Sequence, residues 1–195
     1  MIRLALKIVI DALCAVLVAV PGFTSALEHR LSDGETVFSF WAQSFALVPG
    51  LPGVFIRRAY YRQTLESCGR TFFVGFGALV AHREARIDDD VYIGPYAVVG
   101  CCHLENGCLV GTRCSIVSGA NQHTLDAGAR WTPTDSSRLE RVRIGKHAWL
   151  GEGSLILADI GAGAMIAAGA VVASAVPPST VVAGNPARFV RRLSA

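Results

Sequence analysis

The stretch IGKHAWLGEGSLILADIGAGAMIAAGAVV, residues 144–172, decides the fold. An aliphatic residue followed by a small residue recurs in it about every six positions, first at Ile144 and again at Leu150. A period of six is neither the period of a helix nor the alternation of a simple strand, so it indicates an internal repeat. Residues 87–118 carry the same pattern, and one architecture explains both segments.

A hexad of this kind suits a short flat strand followed by a tight corner. Three such strands complete one coil of a triangular parallel solenoid, and stacked coils bury their aliphatic residues in one continuous column. The hexad that carries Leu104 starts one residue early, and the step from Ile156 to Ile160 is two residues short. We interpret both irregularities as adjustments at corners. The 20 glycines of the chain are consistent with a fold of many corners.

The repeat resembles the hexapeptide-repeat acyltransferase family. The resemblance is closest in Ile144-Gly-Lys-His-Ala-Trp-Leu-Gly, in Ile166-Ala-Ala-Gly-Ala-Val-Val and in Val176-Pro-Pro-Ser-Thr-Val-Val-Ala-Gly-Asn-Pro-Ala-Arg, and it covers roughly residues 72–192. It implies an all-β domain, a left-handed parallel β-helix, although the general rule for parallel crossovers predicts the right-handed form. It also implies a homotrimer with active sites at subunit interfaces, with acetyl-CoA as the acyl donor and no metal.

Residues 1–71 lack the repeat and form a separate N-terminal region. From Ile2 to Val20 the chain is almost wholly apolar, and this run is close to the length needed to span a bilayer. Lys7 and Asp11 interrupt it at a spacing that places both on the same side of a helix. Such a charged pair weakens the prediction of a transmembrane segment and that of a secretory signal.

A second apolar run, residues 37–51, leads into a cluster of basic and aromatic residues. The members of this cluster are Arg57, Arg58, Tyr60, Tyr61, Arg62 and Arg70. Aromatic rings beside arginines favour an interface with anionic lipid headgroups. We therefore predict helices that associate with the cytoplasmic face of the inner membrane. The alternative is a helical cap that covers the open end of the solenoid, and both can hold together.

The composition excludes several classes of protein. A hydrophobic fraction of 52% with 17% charged residues predicts apolar surface that meets lipid or another subunit. A net charge of +3 is too small and too dispersed for a nucleic-acid interface.

The six cysteines include no Cys-x-x-Cys pair, and Cys108 and Cys114 occupy the small inward position of successive hexads. Buried free thiols in a reducing compartment are the interpretation that we favour.

The repeat lapses in a polar excursion at residues 118–143. A loop of this length inside a compact domain is usually functional or disordered. In the family, an excursion of this kind carries the catalytic histidine, and the resemblance assigns that role to His123 in Asn-Gln-His-Thr-Leu-Asp. Thr124 stands where many relatives have proline. The residues assigned to the acceptor pocket are Asn121, Asp126 and Trp131, and Asp126 is also a candidate to orient the imidazole.

Histidine suits this reaction because an imidazole that titrates near neutral pH can remove the proton of a hydroxyl as it attacks a thioester. By resemblance, coenzyme A lies along the last coils between neighbouring subunits. The residues carried over to its site are Gly151, Ala168, Arg188 and Arg191, of which the arginines suit phosphate groups. Glu152 and the pair Ala173-Ser174 depart from the family pattern.

Together these features predict an acyl-CoA-dependent O-acyltransferase, acetyl in preference to longer acyl groups, that acts on a sugar hydroxyl in envelope or exopolysaccharide assembly. The first alternative is an N-acyltransferase that acts on an amino sugar or amino acid. The second is a non-catalytic membrane scaffold, since fold alone never establishes activity. The third is a metal lyase like the carbonic anhydrases of this fold, because His82, His103, His123 and His147 recur at intervals of a little more than one coil.

Overall fold

The computed structural model describes residues 2–118, 123–132 and 139–193, with side chains from Lys7 onward. Helices occupy the chain up to Thr64, and short strands follow from Ser67. The helices are α1 (Ile2–Leu17), α2 (Ala19–Leu31), α3 (Thr36–Ala46) and α4 (Gly50–Thr64).

The strands are two to five residues long and are separated by turns. Before the excursion they are β1 (Ser67–Cys68), β2 (Phe73–Val74), β3 (Leu79–Val80), β4 (Arg86–Ile87), β5 (Tyr92–Ile93), β6 (Val98–Val99), β7 (Cys102–Leu104), β8 (Leu109–Val110) and β9 (Ser115–Ile116). After it they are β10 (Val142–Ile144), β11 (Trp149–Leu150), β12 (Leu155–Ile156), β13 (Met165–Ile166), β14 (Val171–Val172), β15 (Thr180–Ala183) and β16 (Arg188–Arg192).

These strands form three sheets, which are the three faces of a solenoid. Face A has the order β1-β4-β7-β10, face B the order β16-β15-β13-β11-β8-β5-β2, and face C the order β14-β12-β9-β6-β3. In the described part of the chain every strand pairing is parallel except that of β15 with β16. Face B stacks six parallel strands, so the solenoid has six coils. The three-sided parallel β-helix predicted from the hexads is confirmed.

The aliphatic residue of each hexad points inward. In a two-residue strand one side chain faces the interior and its neighbour faces outward. Ile93 and Ile166, which lie in different coils of face B, are 1% and 0% exposed. Cys108 and Cys114 are equally buried, as their hexad position predicts. Burial raises the pKa of the Cys108 thiol to about 12, so this thiol stays protonated and acts as a small apolar side chain.

Glycine at the corners follows from the close approach of successive coils. A Cβ built on Gly145 would lie 2.5 Å from the backbone nitrogen of Ala162, one coil further along. Since real side chains do not approach a backbone that closely, the corner can turn only with glycine at this position. Some other corners need the left-handed region, and His147 adopts it with φ of 57°.

Helices α3 and α4 cover the first coil, and α1 and α2 pack against the other helices. α3 packs against β3, and α4 packs against β1 and β2. Phe38, Tyr60 and Tyr61 are fully buried and belong to the same apolar cluster as the interior of the solenoid. The Tyr61 hydroxyl accepts a hydrogen bond of 3.1 Å from the backbone N–H of Val80, which ties α4 to the first coil. The helical cap considered from the sequence is therefore present.

Two buried arginines hold this cap together. Arg57 is 1% exposed and donates to the carbonyl oxygens of Val74 at 3.0 Å and Val48 at 2.8 Å, so it joins α4 to the solenoid and to the loop after α3. Arg83, in the loop after β3, forms an ion pair with Glu28 on α2. Guanidinium groups suit such positions because several fixed donors can satisfy several acceptors at once.

These contacts correct one prediction made from the sequence. Arg57 and Arg58 are buried, and Arg58 is occupied by an ion pair with Asp11 of α1. Tyr60 and Tyr61 are buried as well. These four residues cannot contact lipid headgroups, because they bind the helices to one another and to the first coil. Their proximity in sequence does not reveal the carbonyl groups and the carboxylate that converge on them in the fold.

Two further features qualify the expected division of the chain at residue 72. β1 begins at Ser67 and pairs with β4, so the first coil starts before that position. Within the described residues no single helix is both long and apolar enough to cross a bilayer. The segments Lys7–Leu17 and Ala19–Leu31 reach that length and hydropathy only as a pair, with a bend of 52° between them.

Candidate active site

The excursion leaves the solenoid after β9 on face C and returns at β10 on face A. Its base is closed by hydrogen bonds from the Glu140 amide to the Ser118 carbonyl at 3.0 Å and from the Val142 amide to the Cys101 carbonyl at 3.1 Å. Further out, Leu125 and Trp131 form an antiparallel bridge. The described part of the excursion is thus a small hairpin that projects from the third coil.

His123 stands at the base of this hairpin with its imidazole held by a backbone carbonyl. Its Nδ1 lies 2.9 Å from the carbonyl oxygen of Thr132. A carbonyl oxygen only accepts, so Nδ1 carries the proton in the neutral ring and Nε2 presents a lone pair. The side chain is exposed, which leaves Nε2 accessible to a substrate. This is the arrangement that a general base requires.

Two threonines fix the strands on which His123 and its partner carbonyl lie. The Thr124 amide donates to the Thr132 hydroxyl at 3.1 Å, and the two hydroxyl oxygens are also 3.1 Å apart. The Thr132 amide donates to the Thr124 carbonyl at 2.8 Å. Thr124, which replaces a proline common in the family, therefore supplies contacts that locate the histidine.

Asp126 was a candidate to orient the imidazole, but its hydrogen bonds lie within the hairpin turn. Its carboxylate accepts hydrogen bonds from the amides of Gly128 and Arg130, at 2.8 and 3.0 Å, and pairs with the Arg130 guanidinium. The bonds from those amides hold the pKa of the Asp126 carboxyl below its usual value. Asp126 closes the hairpin turn, and the group that orients His123 is the Thr132 carbonyl.

The other two residues assigned to the acceptor pocket are Trp131, which the structure describes, and Asn121. Trp131 is 72% exposed at the edge of the hairpin, one residue before the carbonyl that holds His123. An exposed indole can stack against the apolar face of a sugar ring. Asn121 lies outside the residues that the structure describes.

A cleft of ≈ 280 Å³ lies at the C-terminal end of the solenoid. Its walls are the turn after β14, the strand β15 and the antiparallel strand β16. The lining is mainly apolar, with two arginines at its edge: Val172, Ala173, Ser174, Ala175, Val176, Pro177, Thr180, Val182, Pro186, Ala187, Arg188, Phe189 and Arg192. An apolar groove with guanidinium groups suits a ligand that combines an acyl or pantetheine chain with phosphates.

The arginine that accompanies Arg188 in this cleft is Arg192, whereas Arg191 is not among the lining residues. Arg192 and Phe189 are among the lining residues that reasoning from the sequence did not assign to the site. The register between β15 and β16 shifts at Val181 and Val182, so the regular alternation of side chains is broken along β16. Sequence spacing alone does not predict which arginine faces the cleft.

Gly151 and Ala168 lie in contact at the corner between faces B and C in successive coils. A Cβ on Gly151 would be 2.5 Å from the Ala168 backbone nitrogen, and the Gly151 amide donates to the Ile166 carbonyl at 2.8 Å. The structure therefore brings these two carried-over positions together. Coil stacking also explains why glycine is required at position 151, independently of any ligand.

The histidines considered as metal ligands from the sequence lie in different environments within one chain. His103 pairs with Asp88 at 3.1 Å, and His123 is bonded to Thr132. Among the described residues, the group that approaches metal-ligand geometry is Glu35, His82 and Glu84. In that group the His82 Nδ1 lies 2.7 Å from a Glu35 oxygen, and the other Glu35 oxygen accepts the Arg83 amide at 2.8 Å. Glu35 is thus already occupied as part of the helical cap.

Comparison with known proteins gives matches in sequence, although no family model matches the chain. WbbJ of Escherichia coli strain K12, named as a lipopolysaccharide biosynthesis O-acetyl transferase, is 28% identical over 125 residues, which are 60% of this chain and 62% of WbbJ. Serine acetyltransferase 2 of Arabidopsis thaliana is 36% identical over 114 residues, which are 56% of this chain and 31% of that protein. The chain thus spans less than two thirds of either relative.

Solved structures match over a larger share of the chain. The hexapeptide-repeat acetyltransferase VCA0836 of Vibrio cholerae has a TM-score of 0.50 at 22% identity, with 84% of this chain and 95% of that chain covered. A galactoside acetyltransferase in complex with coenzyme A has a TM-score of 0.51 at 18% identity, with 84% of both chains covered. At these identities the likeness establishes the fold. The chain therefore has the fold of the hexapeptide-repeat acetyltransferases, and its sequence is similar to those of proteins named as acetyltransferases.

Proposed function

We propose that the protein is an acyl-CoA-dependent O-acyltransferase, with acetyl as the transferred group and His123 as the general base. The observation that carries the proposal is the bond between His123 Nδ1 and the Thr132 carbonyl at 2.9 Å. That bond selects the tautomer whose Nε2 can accept a proton, and it fixes the ring on a hairpin braced by Thr124. The sequence similarity to enzymes named as acetyltransferases supports the same activity.

In the proposed reaction, Nε2 of His123 removes the proton of the acceptor hydroxyl as its oxygen attacks the thioester carbonyl. A new C–O bond forms, and the tetrahedral intermediate then expels the thiolate of coenzyme A as the C–S bond breaks. The protonated imidazole returns its proton to the thiolate, so the ring is neutral again after each turnover. Backbone amides at the corners of the coils are the groups available to stabilise the developing oxyanion. A covalent acyl-enzyme is not needed.

The C-terminal cleft supports the choice of acyl-CoA as donor. Its apolar walls suit the pantetheine arm, and Arg188 and Arg192 at its edge suit the phosphate groups. The galactoside acetyltransferase that shares the fold was solved in complex with coenzyme A. Among the residues that the structure describes, none that lines the cleft belongs to the excursion. We therefore propose that the cleft of one subunit and His123 of a neighbouring subunit complete each active site in a homotrimer.

The acceptor that we propose is a sugar hydroxyl in envelope or exopolysaccharide assembly, at the cytoplasmic face of the inner membrane. The similarity to WbbJ, whose name refers to lipopolysaccharide biosynthesis and O-acetyl transfer, favours a sugar hydroxyl over an amine. Trp131, exposed beside the carbonyl that holds His123, supplies a flat apolar surface on which a sugar ring can stack.

The test compares His123→Ala with Asp126→Asn in two assays. Binding of acetyl-CoA is measured by calorimetry, and release of free thiol is measured with a panel of sugar acceptors. Removal of the base should lower kcat by about 10²- to 10⁴-fold and leave donor binding intact. Asp126→Asn, which keeps an acceptor oxygen for the turn but removes the charge, should lower kcat by less than about tenfold, because Asp126 does not hold the imidazole.

A third variant, Arg192→Ala, tests the donor cleft separately. It should weaken acetyl-CoA binding by about tenfold, since one charge-assisted contact to phosphate is lost. Turnover near the wild-type rate in His123→Ala would refute the catalytic assignment. A folded protein that binds no acetyl-CoA would refute the acyltransferase itself and favour a scaffold.

A further inference from the structure

The first two helices turn their apolar side outward. α1 and α2 carry a series of exposed aliphatic and aromatic side chains, most of which recur three or four residues apart as on one side of a helix. We call this series the α1–α2 outer face, and its members are Ile8, Val9, Leu13, Val16, Leu17, Val20, Phe23, Leu27 and Leu31. Val16 is 76% exposed and Leu31 is 77% exposed. Exposed apolar residues that occur singly are ordinary, but a contiguous series of this size marks an interaction surface.

Besides the fully buried Val18, the inner side of the same helices carries mainly small and polar residues. Asp11 pairs with Arg58, Gly22 packs against the Gln63 side chain, and the buried Ser25 hydroxyl lies 2.9 Å from the Tyr60 hydroxyl. This distribution is the reverse of that found in a helix that stabilises a water-soluble core. The helices hold to α4 through polar contacts and close packing, and they leave their larger apolar residues free for another environment.

The charges around the outer face are predominantly positive. Among the described residues of the helical region, the carboxylates of Asp11, Glu28 and Glu35 each pair with a basic side chain of the protein, whereas the exposed Asp33 forms no ion pair with a described residue. Apart from the buried Arg57, three cations of this region have no such partner among the described residues: Lys7 in α1, Arg30, exposed between Leu27 and Leu31, and Arg62, which lines a small cavity beside α1. Long basic side chains beside an apolar surface can extend their charged ends to the level of lipid headgroups.

We propose that the α1–α2 outer face is a docking surface for an anionic lipid bilayer, on which the protein lies without crossing it. The 16 residues of α1 give a helix of about 24 Å, shorter than the hydrocarbon core of about 30 Å. The bend of 52° between α1 and α2 prevents a straight span. Two short helices with one apolar side, joined at an angle, suit insertion into the interface of one leaflet. This proposal does not depend on the proposed acyl transfer, and it deepens the membrane location that was proposed with it.

The test is flotation of the full-length protein with lipid vesicles in a density gradient. One set of vesicles consists of phosphatidylcholine and the other contains about a quarter phosphatidylglycerol. The variant carries Val16→Asp and Phe23→Asp, at two positions that are 76% and 68% exposed. Lys146→Glu is the matched control, because it alters the net charge by the same amount on an exposed corner of the solenoid.

The wild-type protein and Lys146→Glu should float with the anionic vesicles. The fraction of the double variant that floats should be at least about tenfold smaller. The proposal is overturned if the wild type remains in the soluble fraction, or if the double variant floats as the wild type does. Equal flotation with both vesicle types would overturn the assignment to an anionic surface. If the wild type forms larger assemblies that the double variant lacks, and neither floats, a second copy of the chain covers this face.

If circular dichroism shows that the double variant has lost helix, the single change Phe23→Ser takes its place. It shortens one exposed side chain, introduces no charge, and should reduce flotation while leaving the helical signal unchanged. Flotation equal to that of the wild type would count against the proposal in the same way.

Discussion

At the scale of single residues, the solenoid depends on a few polar groups placed where coils meet. Glu105 is one of them, with a side chain that is 9% exposed after β7. Its carboxylate accepts hydrogen bonds from Arg143 Nε at 2.6 Å and from the Lys146 amide at 3.0 Å, both in the following coil. The bond from Arg143 and that from the Lys146 amide outweigh burial and hold the pKa of the Glu105 carboxyl below its usual value.

The change Glu105→Gln should lower the free energy of unfolding by about 1–2 kcal/mol at pH 7, with allowance for the exposure of Arg143. A carboxyl whose pKa is lowered on folding contributes stability above its unfolded pKa and loses it as the pH falls through the folded value. The difference between wild type and variant should therefore shrink as the pH drops below 4.5. Urea unfolding at a series of pH values measures this difference in the free energy of unfolding. Glu152→Gln, at an exposed position, is the control. A difference that stays constant down to about pH 3 would contradict this role.

Residue roles are also where the sequence was least informative. The resemblance placed His123 at the head of the excursion, and the structure places its Nδ1 2.9 Å from the Thr132 carbonyl oxygen. It did not identify the Thr132 carbonyl as the orienting group, because a backbone carbonyl leaves no mark in the sequence. For the same reason Arg57 was expected to face lipid, although it donates to carbonyl groups inside the cap. Partners that are main-chain atoms become visible only in the fold.

At the scale of elements, the hexads predict the strands well because each strand needs only one inward residue. In β7, Leu104 is fully buried and its neighbour His103 faces outward beside Asp88. The irregular spacing at Leu104 corresponds to a strand of three residues, where most strands before the excursion have two. The excursion and the helices lack such a repeat, so the sequence predicts their existence but not their contacts.

Replacing Leu104 and His103 separately by Asn tests this alternation within one strand. Leu104→Asn leaves an amide without hydrogen-bond partners in the column and should lower the free energy of unfolding by about 2–5 kcal/mol. His103→Asn keeps a polar group at a half-exposed position and should change the free energy of unfolding by less than about 1 kcal/mol. Chemical denaturation of both variants provides the measurement. Equal losses would show that the register of β7 is wrong.

At the scale of the whole molecule, the three faces of the solenoid differ in what they present to the outside. The outward residues of face A are Ser67, Arg86, His103 and Arg143. Those of face B are Phe73, Tyr92, Leu109, Trp149 and Met165, and those of face C are Leu79, Val98, Ser115, Leu155 and Val171. Two largely apolar faces and one charged face suit a closed ring in which unlike faces of neighbouring copies meet.

We expect the wild-type protein to have three times its chain mass of 20.7 kDa when measured by light scattering. Trp149 is 48% exposed in a single chain and lies in the middle of the apolar series of face B. Trp149→Asp should produce monomers, because a carboxylate transferred into an apolar interface loses its hydration without gaining a partner. Ser67→Asp places the same group on the charged face and should remain trimeric. A monomeric wild type, or a trimeric Trp149→Asp, would exclude face B as an interface and with it an active site completed across that face.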